Sequence, residues 1–440
     1  MTFLALLAAL FVVLYLGLPM FAALFLLPLG VLLWVEGGLP ALGELVIGQL
    51  DGYLLVAIPL FMLMAHIMVR GRVVDDLYGA AFALLRGVRG GVGIATVAAC
   101  TIFAAISGSS VATALTVGKI AIPQMLRYGM SRKGAFGVVA GGGTLGILIP
   151  PSAPMVLYAY VTETSVGALF LAGLIPGLMM AAMFALYCYL TEGRAIAPAD
   201  EAAPAPEAGA PEAGAPGAVP PLRALRRAGW SLSLPVFVLG GIYMGVFTAT
   251  EAAGTGTLYA LLIAALIYRT LTWKDFLDGV GEATRTSAML LMIIAAAAIY
   301  GYMLTKLRVP QELTALVLDW GLSRTGFLVA MMVLLFLLGL VLESFSIILL
   351  TMPAILPVMA QFGIDKVWYG VLLTLSLEMA LISPPVAMNL VVIKAITGAP
   401  LEEVNRAIIP YMLMLALGTA ILIVFPGIAL WLPRIAGYAG

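Results

Sequence analysis

Four hydroxyls, those of Ser107, Ser109, Ser110 and Thr113, fall in the run Phe103-Ala-Ala-Ile-Ser-Gly-Ser-Ser-Val-Ala-Thr113, with apolar sequence on both sides. After a short polar turn the chain continues through Gly141-Gly-Gly-Thr-Leu-Gly-Ile-Leu-Ile-Pro-Pro-Ser152. Regular helix is the expected state of such sequence in a bilayer, because unpaired backbone groups are costly there. The small residues, hydroxyls and Pro-Pro pair interrupt it. Freed carbonyls and hydroxyls suit a hard cation such as sodium, and helix N-termini suit anions. The candidate Na+ ligands are Ser107, Ser110 and Thr113, with the carbonyls of Gly146, Ile149 and Pro151 that a Pro-Pro break leaves without helical partners. Oxygen ligands of little formal charge favour Na+ over a tightly held divalent ion.

The same plan recurs late in the chain. Leu342-Glu-Ser-Phe-Ser-Ile-Ile-Leu-Leu-Thr-Met-Pro353 is a second small, hydroxyl-bearing break, followed by Leu381-Ile-Ser-Pro-Pro-Val-Ala-Met-Asn389. Ser109 precedes Pro150 by about forty positions and Ser346 precedes Pro384 by nearly the same interval. Two interrupted apolar segments at matched places in two halves are the sequence sign of a secondary transporter whose site lies between the repeats. A structural reading, in which Gly, Ser and Pro merely let helices pack closely, accounts for one such stretch better than for two matched pairs. The second copy supplies Ser383, Val386 and Ala387 as ion-site candidates. Candidate substrate contacts are Ser109, Ser110, Ser152, Glu343, Ser344, Ser346 and Asn389. Glu343 could pair with the coupling ion, carry a proton, hydrogen-bond a substrate hydroxyl, or simply mark a water boundary.

The elements that would position these residues follow from composition. The chain is 63% hydrophobic and 10% charged, with mean hydropathy +1.13, and bilayer-length apolar runs recur throughout. The expected fold is therefore an all-α polytopic membrane protein. Zero formal net charge offers no basic face for nucleic acid. Cys100 and Cys188 lie in apolar spans without metal or disulfide spacing. No signal-peptide pattern occurs at the start, so Thr2–Leu18 reads as a retained helix.

Taken in order, the first repeat, residues 1–192, reads as helices at Thr2–Gly17, Met20–Val35 and Gly52–Val69. An amphipathic interfacial stretch Gly71–Arg86 follows, then a re-entrant hairpin (Val92–Ile106, Val111–Leu126) and a broken helix Gly134–Tyr160. Gly167–Leu190 closes the half. An Ala/Pro/Glu/Gly linker, residues 193–229, is expected to be disordered. The second repeat, residues 230–440, has helices at Trp230–Phe247, Glu251–Tyr268 and Ser287–Leu304, then a surface stretch Arg308–Ser323. A hairpin Gly326–Ala360, a broken helix Val367–Ile396 and a last helix Ile408–Trp431 complete it. With about five crossings and one hairpin each, the two repeats must be inverted. The positive-inside rule agrees: a cytoplasmic linker places sixteen Lys and Arg on its side, from Arg70 to Arg406, and only Lys306, Arg308, Arg324, Lys366 and Arg434 on the other. Both termini are then external.

The runs Ala57-Ile-Pro-Leu-Phe61, Ile106-Ser-Gly-Ser-Ser110, Leu145-Gly-Ile-Leu-Ile-Pro-Pro-Ser152, Leu169-Phe-Leu-Ala-Gly-Leu-Ile-Pro-Gly177 and Phe247-Thr-Ala-Thr-Glu251 together resemble the large membrane subunit of tripartite ATP-independent periplasmic (TRAP) transporters. The resemblance covers nearly the whole chain. It implies an elevator-type sodium symporter of the bacterial inner membrane that takes up organic acids such as dicarboxylates or sialic acids, with Na+ as coupling ion and no cofactor. It also implies two partners, a small four-helix membrane subunit and a secreted binding protein. No additional four-helix region is present, so the small subunit is expected to be a separate chain. In the second Pro-Pro motif the family often has Thr and Gly where this chain has Ser383 and Ala387; Ser383 keeps the hydroxyl, whereas Ala387 adds a methyl at the second ion site where the family's Gly allows close backbone approach. Thr2–Tyr53 and Trp230–Thr286 would form a scaffold, and Gly71–Arg86 and Arg308–Ser323 the arms to a moving core.

Other classes have less support. No GxxxxGK[ST] loop is present for an ATP-driven pump, and His66 is the only histidine, too isolated for an enzyme centre. A carbonyl-lined channel remains a possible alternative. So does a stand-alone sodium- or proton-coupled anion symporter that needs no binding protein.

Overall fold

Hydroxyl side chains begin many of the helices, because an apolar run exposes four orphan N–H groups at its start and Ser, Thr or Asp can accept from one of them. A computed structural model describes residues 2–38, 42–71, 73–85, 87–192 and 220–438. Among these residues there is no strand. The first half comprises α1 (Thr2–Tyr15), α2 (Met20–Glu36), α3 (Leu42–Leu50), a 3₁₀ turn Tyr53–Val56 running into α4 (Ala57–Arg70), α5 (Val73–Leu85), α6 (Gly91–Ser107), α7 (Ser110–Arg127), α8 (Arg132–Leu148), α9 (Ala153–Thr162) and α10 (Val166–Thr191). Ser109, Ser131, Ser152 and Ser165 cap α7, α8, α9 and α10 by accepting from the backbone N–H three residues on.

The second half comprises α11 (Pro221–Tyr243), α12 (Ala249–Leu262) with a π-helical turn Ile263–Ile267, α13 (Trp273–Lys306), α14 (Val309–Asp319), α15 (Arg324–Gly339), α16 (Ser344–Gln361), α17 (Lys366–Leu381), α18 (Met388–Thr397), α19 (Leu401–Val424) and α20 (Gly427–Ile435). From α5 and from α14 onward the two halves run through the same order: a short helix, a two-helix hairpin, a helix interrupted at Pro-Pro, and a long helix. Among the described residues, seven helical segments are long and apolar enough to cross a membrane. The protein is an all-helical, multi-pass membrane protein.

Two packing groups arise. Helices α2, α3 and α4 pack on α13, and α12 packs on α4. In the other group α6, α7 and α19 pack on α8, and α15 and α19 pack on α17, which also reaches α8 from the opposite half. The short helices bridge the groups, α5 lying between α11 and α6, and α14 between α13 and α16. The α8–α9 segment has its apolar window wholly buried inside the protein. Interrupted backbone at membrane depth needs such cover, since lipid cannot satisfy it.

Four boundaries differ from the sequence expectation. Helix α11 starts at Pro221, where proline is favoured in a first helical turn, so the expected linker loses its last nine positions to helix. Residues 193–219 of that linker lie outside the described residues. Helix α13 begins at Trp273, not Ser287, because Thr272 and Asp275 form a reciprocal capping box ahead of a charged stretch that reads as surface. Its 34 residues span about 51 Å at 1.5 Å per residue, well beyond a hydrocarbon core of about 30 Å. Helix α3, nine residues at Leu42–Leu50, has no counterpart among the expected elements. The expected last helix is split at Phe425–Pro426 into α19 and α20.

Candidate functional site

The interruptions converge on one cavity of about 460 Å³, within the range of small-molecule sites. The first-half tip contributes Ser107, Gly108, Ser109 and Ser110, and the first Pro-Pro break contributes Pro151, Ala153 and Pro154. From the second half come Glu343 and Ser344 at the α15–α16 tip, and Val386, Ala387 and Met388 at the second break. Phe61, Met62 and Met289 of α4 and α13 close the remaining wall. Four helices therefore begin at this cavity: α7 at Ser110, α9 at Ala153, α16 at Ser344 and α18 at Met388. Each turns its first-turn N–H groups and the positive end of its dipole toward the cavity, a setting that favours an anion; among the described residues no Lys, Arg or His lines the wall, and Glu343 is its one carboxylate.

The first tip is tightly built. Gly108 joins α6 to α7 at φ +57°, and a Cβ there would lie 2.6 Å from the Pro151 carbonyl oxygen. The Thr113 hydroxyl donates to the Ser109 carbonyl at 2.8 Å and stands 2.8 Å from the Ser107 hydroxyl. A Cβ on Gly146 would lie 2.5 Å from the Ser109 carbonyl oxygen, so the end of α8 touches the tip directly. Ser107, Ser110, Thr113, Gly146 and Pro151, all expected ion ligands, are thus brought into one neighbourhood. Ile149 lies at the end of α8, where the chain turns extended and both Pro150–Pro151 and, in the other half, Pro384–Pro385 are cis. The oxygen-rich, weakly charged make-up of the cluster fits a monovalent hard cation.

Not every expected contact is free to bind. The Ser109 and Ser152 side chains accept from Ala112 N and Met155 N as caps, at 3.4 and 3.5 Å. Ser152 is fully buried, behind the wall rather than in it. Ser383 donates back to the Met379 carbonyl at 2.7 Å and also contacts the Met412 sulfur, so its hydroxyl faces away from the second tip. Ser346 is buried with an unpartnered hydroxyl. Ser344 and the exposed Glu343 do reach the cavity. Asn389 is fully buried, and its amide donates to Ser110 Oγ at 2.9 Å, joining the second break to the first tip.

The sequence reading missed Glu378. Its carboxylate is fully buried in α17, accepting from the Ser110 hydroxyl at 3.2 Å and from Ile147 N at 3.1 Å. The available signal was a lone acidic residue inside an apolar span, which by default marks function. Ala387 is the other surprise. It occupies the left-handed region at φ +41° as the residue before α18. A left-handed alanine costs about 1–2 kcal/mol relative to its right-handed state. Ala387→Gly is therefore expected to raise thermal stability of the purified protein by about 1 kcal/mol, read as a higher Tm in detergent.

This fold and tip cavity define a helical membrane transporter. A solved structure of MtrF from Neisseria gonorrhoeae shares the fold, with TM-score 0.63 at 14% identity, covering 90% of this chain and 85% of that one. A family model described as tripartite ATP-independent periplasmic transporter, DctM component, matches residues 7–428. The C4-dicarboxylate TRAP transporter large permease protein of Pseudomonas aeruginosa is 38% identical over 387 residues, 88% of each chain. The sialic acid TRAP transporter large permease protein of Vibrio cholerae is 30% identical over 424 residues, 96% of each. The chain belongs to the DctM family, the large permeases of TRAP transporters, and is a transport protein, not an enzyme.

Proposed function

We propose that this permease carries a small organic acid inward by sodium-coupled secondary transport. The observation that carries the reading is the meeting of four helix N-termini and a cluster of hydroxyls and carbonyls at one cavity. The N-termini supply an anion site without a fixed cation, and the first tip supplies oxygens for Na+. A carboxylate substrate, such as the dicarboxylates or sialic acids for which relatives are named, matches the first. A periplasmic binding protein delivers it, and a separate small membrane subunit braces the α1–α4 and α11–α13 group.

Movement is of the elevator type in this reading, with the hairpins and broken helices sliding against the α13-centred group. The Tyr160 hydroxyl, which donates to the Gln49 carbonyl at 2.7 Å across that boundary, is one contact such sliding must break. The protein sits in the bacterial inner membrane with its termini periplasmic and residues 193–219 cytoplasmic. A cysteine engineered into residues 198–217 is expected to resist periplasmic labelling in intact cells, and reaction there would invert the topology.

Ser110→Ala tests the site. It removes one hydroxyl ligand and is expected to raise the sodium concentration for half-maximal uptake by about tenfold, a difference of about 1.4 kcal/mol. An unchanged sodium response would remove Ser110 from the ion site.

A further inference from the structure

The first tip belongs to the first half of the chain, yet its position is fixed by two buried side chains of the second. Glu378 on α17 accepts from Ser110 Oγ at 3.2 Å with one oxygen and from Ile147 N at 3.1 Å with the other. Asn389 on α18 donates to the same Ser110 Oγ at 2.9 Å. Both side chains are 0% exposed. A carboxylate enclosed in this way is costly unless its hydrogen bonds are made, so the two contacts hold each other in place. Ser110 opens α7, and Ile147 follows Gly146 in the last turn of α8. These are the two backbone segments that must keep their spacing if oxygens from both are to surround one ion.

We propose that Glu378 is a positioning residue for the first cation site, clasping the α6–α7 tip to the end of α8 so that sodium affinity depends on it. The proposal rests on the sodium-site reading of Ser107, Ser110 and Gly146 given above. Glu378 does not touch the ion in this scheme. It sets the distance between groups that do. Because α17 and α18 lie in the opposite half, the clasp makes ion binding at the first tip sensitive to how the halves are packed, and so couples the site to the arrangement of the whole core.

The test compares three variants of the complete permease with its small subunit. Two readouts are taken: the half-saturating sodium concentration for binding-protein-dependent uptake into proteoliposomes, and the sodium-induced rise in Tm of the purified complex without substrate. Glu378→Ala is expected to raise half-saturating sodium at least about tenfold and to abolish the sodium-induced rise in Tm. Glu378→Gln keeps an acceptor for Ile147 N–H and a polar contact to Ser110. It is expected to restore half-saturating sodium to within about threefold of native. Should the alanine protein fail to fold, Glu378→Asp replaces it: too short to reach both partners, it is expected to weaken sodium binding clearly more than Gln. Native sodium affinity in Ala, or equal values in Asp and Gln, overturns the clasp while leaving sodium coupling intact. Native uptake that ignores sodium overturns both.

Discussion

Gly146→Ala is expected to raise the half-saturating sodium concentration for uptake by roughly one to two orders of magnitude while leaving the protein inserted in the membrane. An added methyl would meet the Ser109 carbonyl oxygen at 2.5 Å, the Ser109 carbonyl carbon at 2.6 Å and Ser110 N at 2.7 Å. All three are backbone atoms, which cannot rotate aside as a side chain could. Relief requires the α6–α7 tip to retreat from α8, the spacing on which the candidate cation site depends. Overpacking of this kind costs about 1–3 kcal/mol, and a site built from both segments loses that much affinity, about five- to 150-fold. Uptake and sodium half-saturation in proteoliposomes measure it. Native values would mean that close approach of tip and broken helix is not needed for transport.

The second large effect concerns stability of the α13-centred group. Arg70, in the last turn of α4, reaches Glu282 at 2.8 Å, Asp278 at 3.6 Å and Asp275 at 3.9 Å near the start of α13. His66 stands 3.1 Å from the same Glu282. Arg70 in the last turn of α4 and Asp275 in the first turn of α13 also match the two helix dipoles. Arg70→Ala removes the one cation shared by the three carboxylates and leaves His66–Glu282 as the remaining polar tie between the two helices among the described residues. The cluster is partly exposed, so the expected loss is about 1–2 kcal/mol, seen as a lower Tm at low salt that narrows toward native at high salt. A salt-independent loss would point to packing of the arginine stem instead.

How much was legible in the sequence depended on whether the signal was local. The two Pro-Pro motifs, the hairpin tips at Ser107–Ser110 and Glu343–Ser346 and most helix ends within a few residues follow from apolar runs and their punctuation. Residues whose roles depend on distant neighbours did not. Glu378 bonds to Ser110, 268 positions away. Nothing in its own surroundings, an apolar helix, says which group it meets. Asn389 was read as a substrate contact from its place after Pro-Pro, whereas its amide is bonded to the first tip. Ser109, Ser152 and Ser383 show a second limit. A hydroxyl in an apolar break can serve a ligand, a helix cap or its own preceding turn, and only geometry separates these uses. Helix α13 starts fourteen residues before the apolar run that marks it in the sequence, because a helix can run past the bilayer into water where its charged turns carry no apolar signal.

The central claim is sodium-coupled uptake of an organic acid handed over by a binding protein. Its most direct test is uptake of labelled organic acids into proteoliposomes holding this chain and its small subunit, with and without the binding protein, under an imposed sodium gradient and no ATP. Accumulation that requires both the gradient and the binding protein is the expected result. Accumulation without sodium, or equal accumulation without the binding protein, would contradict the account, the latter in favour of a stand-alone symporter.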